Sequence, residues 1–493
     1  MKKFFPLWIV LLVLVITSTL FHYPVHIHDV LADQPAELFD VKIHELRILF
    51  EPVVGPMLFM LRADQPKVEM AMILLWTLAF LLVWRIFRTV RGGISLKNIF
   101  AGLWAWLLRV PLVIIIWLAV MALIIFVPLP SNTIINNDVN AALVNMHCHS
   151  EWSHDGLISQ EKLWRWHKRN GFDAFFITDH NTHKHTLNFV EKQKKGELAA
   201  RPLVLCGEEF SGSNHIALLG LLRDFRTNGM PDSTAIDSAH ANGGVAIVAH
   251  WFADERNSIQ HYIDLGVDGF EIVNQAEGLQ YSRRIFKDIV DHCRHYGLLM
   301  TGVCDYHGYG SAALAWTAFD IPEHKILDME KTRQAIMAIL REHRQDKVRV
   351  FMYRDRTPLP RRKVFWSPVY NIVSYFRTLR LWQIISWIVW IAALFFIYHL
   401  STNRQPGARL KRRNVSILAA FSTAASAFIL FMGRRLILKA PAVQGYNDIY
   451  AEFGRQFLFI GMVFLLYSLA FAGFEIFRDR RQADTKIKTS KAD

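Results

Sequence analysis

Long unbroken apolar runs occupy both ends of the chain, and a long middle stretch carries only short ones. A bilayer core of about 30 Å takes about 20 mostly apolar helical residues. Six runs approach that length: 4–20, 70–87, 104–127, 381–399, 415–432 and 456–477. The third holds Arg109 and Pro111 near its start, which places its first turn at the interface; Arg109 is the clear charge within a run. The fifth is diluted by Ala, Ser and Thr, small residues that let membrane helices approach closely. A further apolar piece, 48–61, is broken by Pro52, Gly55 and Pro56 and reads as interfacial or re-entrant. Met1-Lys2-Lys3 before the first run resembles a signal peptide. Its long apolar core and unconvincing cleavage site favour an uncleaved anchor.

Between the third and fourth runs the pattern becomes that of a water-soluble α/β insert. Short apolar runs at 143–149, 174–179, 203–209, 215–221, 245–250, 270–274 and 299–305 predict strands. Amphipathic segments at 159–170, 234–242 and 281–296 predict helices between them. Such alternation implies a parallel sheet, open or closed into a barrel, with its chemistry at the carboxyl ends of the strands. The expected organisation is a membrane region over 1–139 with three helices, a soluble domain over 140–346, a linker over 347–380, a second three-helix membrane region over 381–477, and a basic tail over 478–493.

Composition sharpens this picture. Of 493 residues 52% are hydrophobic, and the mean hydropathy is +0.19. With 26 Gly, 17 Pro and four Cys, the chain is neither disordered, collagen-like nor a disulfide scaffold. The net charge of +13 is largely a topology signal. Seventeen basic residues fall in the amino terminus, the loops after the second and fourth runs, and the tail, all on one side by alternation. The stretch 128–145 has none, although basic groups also occur at 361–363 and at Arg434 and Arg435. The expectation is an integral protein of a bacterial inner membrane, with cytoplasmic termini and an extracytoplasmic (periplasmic) soluble domain. No basic-aromatic platform stands out in that domain, so no nucleic acid is expected as a partner.

Histidine supplies the chemistry. Fourteen of the 21 His lie between His147 and His307. The first predicted strand ends His147-Cys148-His149, and residues two apart on a strand face the same way. The others end Asp179-His180-Asn181, Glu208-Glu209, Ala249-His250 and Asp305-Tyr306-His307, and one opens on His215. A single core histidine is usually a satisfied polar group. His26-Ile27-His28, in the first loop, has the same spacing without this setting. Histidines at the ends of five predicted strands have a common reason in a shared metal site.

In motif and order these residues resemble the PHP (polymerase and histidinol phosphatase) superfamily of metal-dependent phosphoesterases. The motifs are Asn145-Met146-His147-Cys148-His149-Ser150, Ser153-His154-Asp155-Gly156, Ile177-Thr178-Asp179-His180-Asn181, Gly207-Glu208-Glu209-Phe210-Ser211 with His215, Val248-Ala249-His250, and Cys304-Asp305-Tyr306-His307-Gly308. Trp251 stands where the family often has Pro. The resemblance covers about 143–307. It implies a distorted (β/α)7 PHP barrel inserted between transmembrane helices and holding two or three divalent ions.

By this resemblance His147, His149, Glu209 and Asp305 would hold the first ion. Glu209 would bridge to a second with His215 and His250. Asp155, His180 and His307 would hold the third. His154 competes with Asp155, which precedes Gly156 as in the family pattern, and Glu208 competes with Glu209. Glu209, Asp305 and His180 are the candidate catalytic residues, and Arg283 and Arg284 are candidate phosphate contacts. Asp179 is a candidate to orient a ligand or to cap the next helix; His183 and His185 read as a surface loop. Imidazole with carboxylate suits Zn²⁺, Mn²⁺ or Fe²⁺ rather than a structural zinc site. Cys148 and Cys304 read as buried thiols, and Cys206 and Cys293 are open to pairing. The function implied is a membrane-anchored phosphoesterase acting on a phosphorylated substrate, with the lipid bilayer as its other partner. The alternatives are a hydrolase of another ester or a carbamate, and a non-catalytic metal-binding sensor or transporter.

Overall fold

The structure, a computed structural model, describes residues 5–63, 66–91, 95–254, 257–276, 283–310, 312–402 and 409–489. Lys2 and Lys3 lie outside them. The strands are β1 (His26–Asp29), β2 (Gln34–Pro35), β3 (Phe39–Lys42), β4 (Thr133–Asn136), β5 (Ala141–Asn145), β6 (Ala174–Ile177), β7 (Leu203–Ser211), β8 (His215–Leu219), β9 (Val245–Val248), β10 (Gly269–Asn274), β11 (Leu299–Val303), β12 (Ala315–Asp320) and β13 (Val348–Arg354). β5, β6, β9 and β11 are buried at every position, so they read as continuous apolar runs rather than as alternation.

Eleven strands form one mixed α/β sheet in the order β11-β10-β9-β8-β7-β6-β5-β12-β13-β1-β2. β5–β6–β7 and β9–β10–β11 are parallel, whereas β8 runs antiparallel to both β7 and β9. The expected parallel sheet is therefore corrected at β8. Only Gly212, Ser213 and Asn214 separate Ser211 from His215. A parallel connection needs a crossover of about a dozen residues or more, so this linker makes a hairpin. The stretch 347–380, expected as a linker, supplies β13, which lies between β12 and β1. His26-Ile27-His28 also joins the sheet, as β1.

The sheet curls so that its strand ends meet. Beyond β5 and β11, Cys148 and Tyr306 form a parallel bridge. The Asp305 amide donates to the His147 carbonyl and the His149 amide to the Tyr306 carbonyl, both at 2.9 Å. The Thr317 hydroxyl on β12 bonds both the amide and the carbonyl of Gly302 on β11. Amphipathic helices close the outer face. Gln160–Arg169, Asp232–Ala241, Arg283–Tyr296 and Met329–Arg341 bury Leu163, Ile236, Ile289 and Ile336 respectively.

Among the described residues, four helices are long and apolar enough to cross a membrane: Pro66–Arg91, Asn98–Phe126, Ile417–Ala442 and Asp448–Phe477. A fifth is counted if Arg362–Arg377 and Leu381–Ile397, bent by 112°, form one span. Four of the six expected runs coincide with these helices, and 381–399 falls in the bent pair. The first run is a helix of 16 residues, Phe5–Leu20. The broken run 48–61 is helical, as Glu45–Leu49 and Glu51–Leu61; Pro52 sits in the first turn, where its missing N–H costs nothing, and Pro56 lies inside the second helix. Arg109 pairs with a second intrahelical charge, Glu475, at 3.3 Å. The soluble part rests directly on the long helices. Gly310 donates to the Ile125 carbonyl at 2.8 Å, and Tyr446 donates to the Glu151 carbonyl.

Candidate metal centre

The nine candidate ligands converge at the carboxyl-terminal rim of the curled sheet. Glu209 is central, buried to 1% exposure. Its Oε2 lies 3.2 Å from a ring nitrogen of each of His147, His149 and His180. Its Oε1 lies 2.8 Å from His215 and 3.1 Å from His250. One carboxylate thus faces two separate sets of imidazoles. Asp305 lies 3.2 Å from His149 and 3.5 Å from His147. Asp155 lies 3.2 Å from His180 and 3.0 Å from His307.

The tautomers are set from behind. His147 Nδ1–H donates to Glu271 at 2.7 Å, and His149 Nδ1–H donates to the Ser153 hydroxyl at 3.2 Å. Ser153 in turn donates to Asp155 at 2.6 Å. With Nδ1 protonated on both rings, both Nε2 atoms carry lone pairs, and they face each other at 3.1 Å. Two lone pairs at that distance repel unless a proton or a metal ion lies between them. Asp305 Oδ1, His215 Nδ1 and His250 Nδ1 are buried without a hydrogen-bond partner among the described residues. Asp305 Oδ1 and His215 Nδ1 nevertheless have an opposite partner close by. Near but unaligned donors are what a shared third body produces, so the residues fit divalent metal ions. His147, His149 and Glu209 form one ligand triplet, and His180, Glu209 and His215 another. His149 with Asp155 and His180, and His149 with Asp305 and His307, form two more.

The electrostatics agree. Burial disfavours a charged His147, yet Asp305, Glu209 and Glu271 outweigh it and hold its pKa well above the usual imidazole range. By the same contest of burial against Asp305 and Glu209, His149 rises to about 10, and His250 rises to about 9 chiefly through Glu209. Glu209 and Asp305 are held well below the carboxylate range against their own burial. The pocket is short of positive charge, and protons occupy the role that a metal would fill. Backbone strain marks the same place: Asp305 and His250 have φ of +46° and +28°.

The ambiguous residues are separated by packing. Asp155 bonds His180 and His307, whereas His154 is exposed and touches the cluster only through its ring, 4.6 Å from that of His180. Gly156 is needed here, since a Cβ would fall 1.8 Å from the Ser150 carbonyl oxygen. Glu208 points away from Glu209 and binds His183 and Thr227. His183 is therefore buried structure, not part of a surface loop. Asp179 caps no helix: it takes the Ser150 amide at 2.5 Å and hydroxyl at 2.7 Å, holding the turn beside His149. Burial raises its pKa to about 6. Cys148, Cys206, Cys293 and Cys304 are all free and buried, so the pairing left open for Cys206 and Cys293 is absent. Arg283 and Arg284 are exposed in the first turn of Arg283–Tyr296, and no bond joins them to the cluster among the described residues.

Two residues went unnoticed in the sequence, Glu271 and Asn274. Besides holding His147, Glu271 accepts the His250 amide at 3.0 Å. Asn274 donates to Glu271 at 3.0 Å and to Asp305 at 3.1 Å. The available signal was a carboxylate set inside the apolar run Phe270-Glu271-Ile272-Val273.

Residues 145–233 match the PHP domain family. No curated protein matches the chain. Among solved structures, the chain is similar to a two-domain Bacteroides vulgatus protein containing a predicted PHP-like metal-dependent phosphoesterase, at 18% identity and a TM-score of 0.33. That alignment covers 43% of this chain and 65% of the other, just under two thirds. It is also similar to PsfC from Pseudomonas syringae, at 16% identity and a TM-score of 0.32, over 48% of this chain and 98% of that one. An amidohydrolase from Chromobacterium violaceum with bound sulfate aligns at 15% identity and a TM-score of 0.27, over 39% and 96%.

Proposed function

We propose that the protein is a membrane-anchored metallophosphoesterase. The observation that carries this reading is Glu209, whose two oxygens face His147, His149 and His180 on one side and His215 and His250 on the other. The match of 145–233 to the PHP domain supports it. In this reading the seven strands β5 to β11, joined by the Cys148–Tyr306 bridge, are the distorted (β/α)7 barrel. His147, His149, Glu209 and Asp305 hold one ion, Glu209 with His215 and His250 a second, and Asp155, His180 and His307 a third. Divalent ions bound there, Zn²⁺, Mn²⁺ or Fe²⁺, would supply activated water and charge stabilisation for phosphate displacement.

The chain's own groups do the rest. Asp305 and Glu209 stay ionised, and Glu271 and Ser153 fix the two rings of the His147–His149 pair. Burial lowers the pKa of His180, so its ring is neutral and its lone pair is available to an ion. Asp155 and His215 have side chains 29% and 37% exposed and form the open side, where a phosphate would enter. The helix ends at Phe126, Ala442 and Asp448 lie toward the soluble domain, and their opposite ends border the basic segments. This supports an extracytoplasmic active site in a bacterial inner membrane.

The test is metal analysis of the purified chain with a panel of phosphomonoesters, phosphodiesters and carboxyl esters in added Mn²⁺. Glu209→Ala should abolish phosphate ester hydrolysis while the membrane part stays folded, and retained turnover would sink the assignment. A reporter fused near residue 130 should report the extracytoplasmic side.

A further inference from the structure

An apolar cavity of about 330 Å³ lies where the metal-bearing loops meet the membrane helices. Phe126, Ile429 and Phe457 line it from three of the long apolar helices, and Leu157 and Tyr309 line it from the soluble domain. Those two residues belong to the ligand loops. Leu157 follows Asp155 by two positions, and its amide donates to the His307 carbonyl at 2.8 Å. Tyr309 follows His307 by two, and the two rings stack with centroids 5.7 Å apart. The next residue, Gly310, donates to the carbonyl of Ile125, beside Phe126. The loops are drawn tight, since a Cβ on Gly308 would fall 2.7 Å from Ile158 Cβ. The far wall is aromatic, with Phe126 edge-on to Phe457 at 5.4 Å.

We propose that this cavity takes the hydrocarbon chain of a membrane lipid whose phosphate ester is presented to the metal centre. The inference rests on the phosphoesterase reading and gives its substrate a class. The cavity falls in the size range of small-molecule sites, roughly 300–1,000 Å³. Its lining is aliphatic and aromatic apart from the Tyr309 hydroxyl, so it has almost nothing to offer a sugar or a nucleotide base. Apolar cavities stay dry and accept hydrocarbon. Three of its walls come from candidate membrane spans, so a lipid can fill it from the bilayer. The chain then has a use for more spans than anchoring needs. In the reaction, water oxygen bonds to phosphorus, the P–O ester bond breaks, the lipid alcohol leaves with a proton, and phosphate is released.

The probe is phosphatidic acid carrying a diazirine midway along one acyl chain. It is incubated with the detergent-solubilised full chain after metal removal by chelator, so that binding is read without turnover. Photolabel should map to lining residues such as Ala122, Phe126, Ile429 and Phe457. Ala122→Trp, which fills the cavity, should reduce that label at least tenfold; Ile429→Trp serves if the first variant does not fold by size exclusion. Label unchanged in the folded variant, or confined to outward residues such as Phe459 and Leu466, overturns the proposal. Hydrolysis of para-nitrophenyl phosphate with Mn²⁺ separates the two readings. Turnover without cavity label removes the lipid site alone. Cavity label with no ester hydrolysed upholds the lipid site and removes the phosphoesterase reading.

Discussion

Arg47, Arg62 and Arg356 meet Glu51, Glu69 and Asp355 in a second buried polar region, where β13 meets the helices Glu51–Leu61 and Ser367–Arg377. Arg47 pairs with Glu51 at 3.2 Å and bonds Asn132 at 2.6 Å. Arg62 and Arg356 share Asp355, each at 2.8 Å. Asn371 links Arg356 to Glu69, and Tyr375 bonds Glu51 at 2.9 Å. The metal cluster is buried except on the open side at Asp155 and His215, but its charges are not matched within the protein. Three carboxylates face six imidazoles whose lone pairs turn toward common points. Burial demands compensation in both regions. The first finds it in arginine, whose fork bonds carboxylates directly and locks helix to strand. The second is arranged to take it from divalent ions. Buried polarity therefore marks a binding site only where the partners fail to satisfy one another.

The comparison breaks first at Glu209. Glu209→Ala should lose bound metal and phosphate ester hydrolysis to background, read by metal analysis and turnover, with little effect on the helices. The opposite is expected at Asp355. Asp355→Ala leaves two buried arginines without their shared partner and should cost about 3–5 kcal/mol of stability. Added Mn²⁺ should still raise its melting temperature, because its metal site is intact. Equal loss of metal in both variants would show that the two regions are one unit. Glu271→Gln is a finer probe. The ring of His147 keeps a partner but loses its charged one, so metal affinity should fall about 10- to 100-fold with the fold retained. Titration calorimetry would show it.

The smallest effect concerns a third ionic cluster, on the outer face. Asp268 accepts from His240 and His343, both at 2.8 Å, and these bonds hold its pKa at about 2 against burial. The same bond raises His240, whose side chain is 37% exposed. The Asp268 contribution is present above about pH 4 and disappears as pH falls through about 2. The His240 contribution is complete below about pH 6.5 and disappears as pH rises through its raised value. The stability difference between the wild type and His240→Ala should accordingly shrink on alkalinisation. It should stay under about 1 kcal/mol because water screens the pair. A difference that grows with pH would contradict the assignment.

His167 shows why single residues mislead. It lies in the same histidine-rich insert, but it stacks on Phe175 at 3.9 Å and bonds the Leu163 carbonyl and Asn145. Burial alone drives its pKa down to about 3, so it is a neutral core group. The reading from motifs named all nine cluster residues: eight lie at strand ends, which share a rim, and Asp155, in the turn after the first strand, came from the family resemblance. It missed Glu271 because one carboxylate in an apolar run has no spacing signature. It missed β12 and β13, which pair with each other and whose other partners, β5 and β1, lie more than 150 residues upstream. It placed Arg283 and Arg284 on their position after the 270–274 strand and the resemblance, which carry no information about where their side chains point.

Local pattern was enough for the α/β insert, the apolar runs and the histidines gathered at strand ends, because period, run length and strand-end position are properties of neighbours along the chain. Tertiary structure alone decided that Glu209 and not Glu208 enters the cluster, that β8 reverses the sheet, and that the loops of Asp155 and His307 roof a cavity among the long apolar helices. Each of those depends on which distant segment lies opposite, and a free energy of packing between segments leaves no mark in either segment by itself.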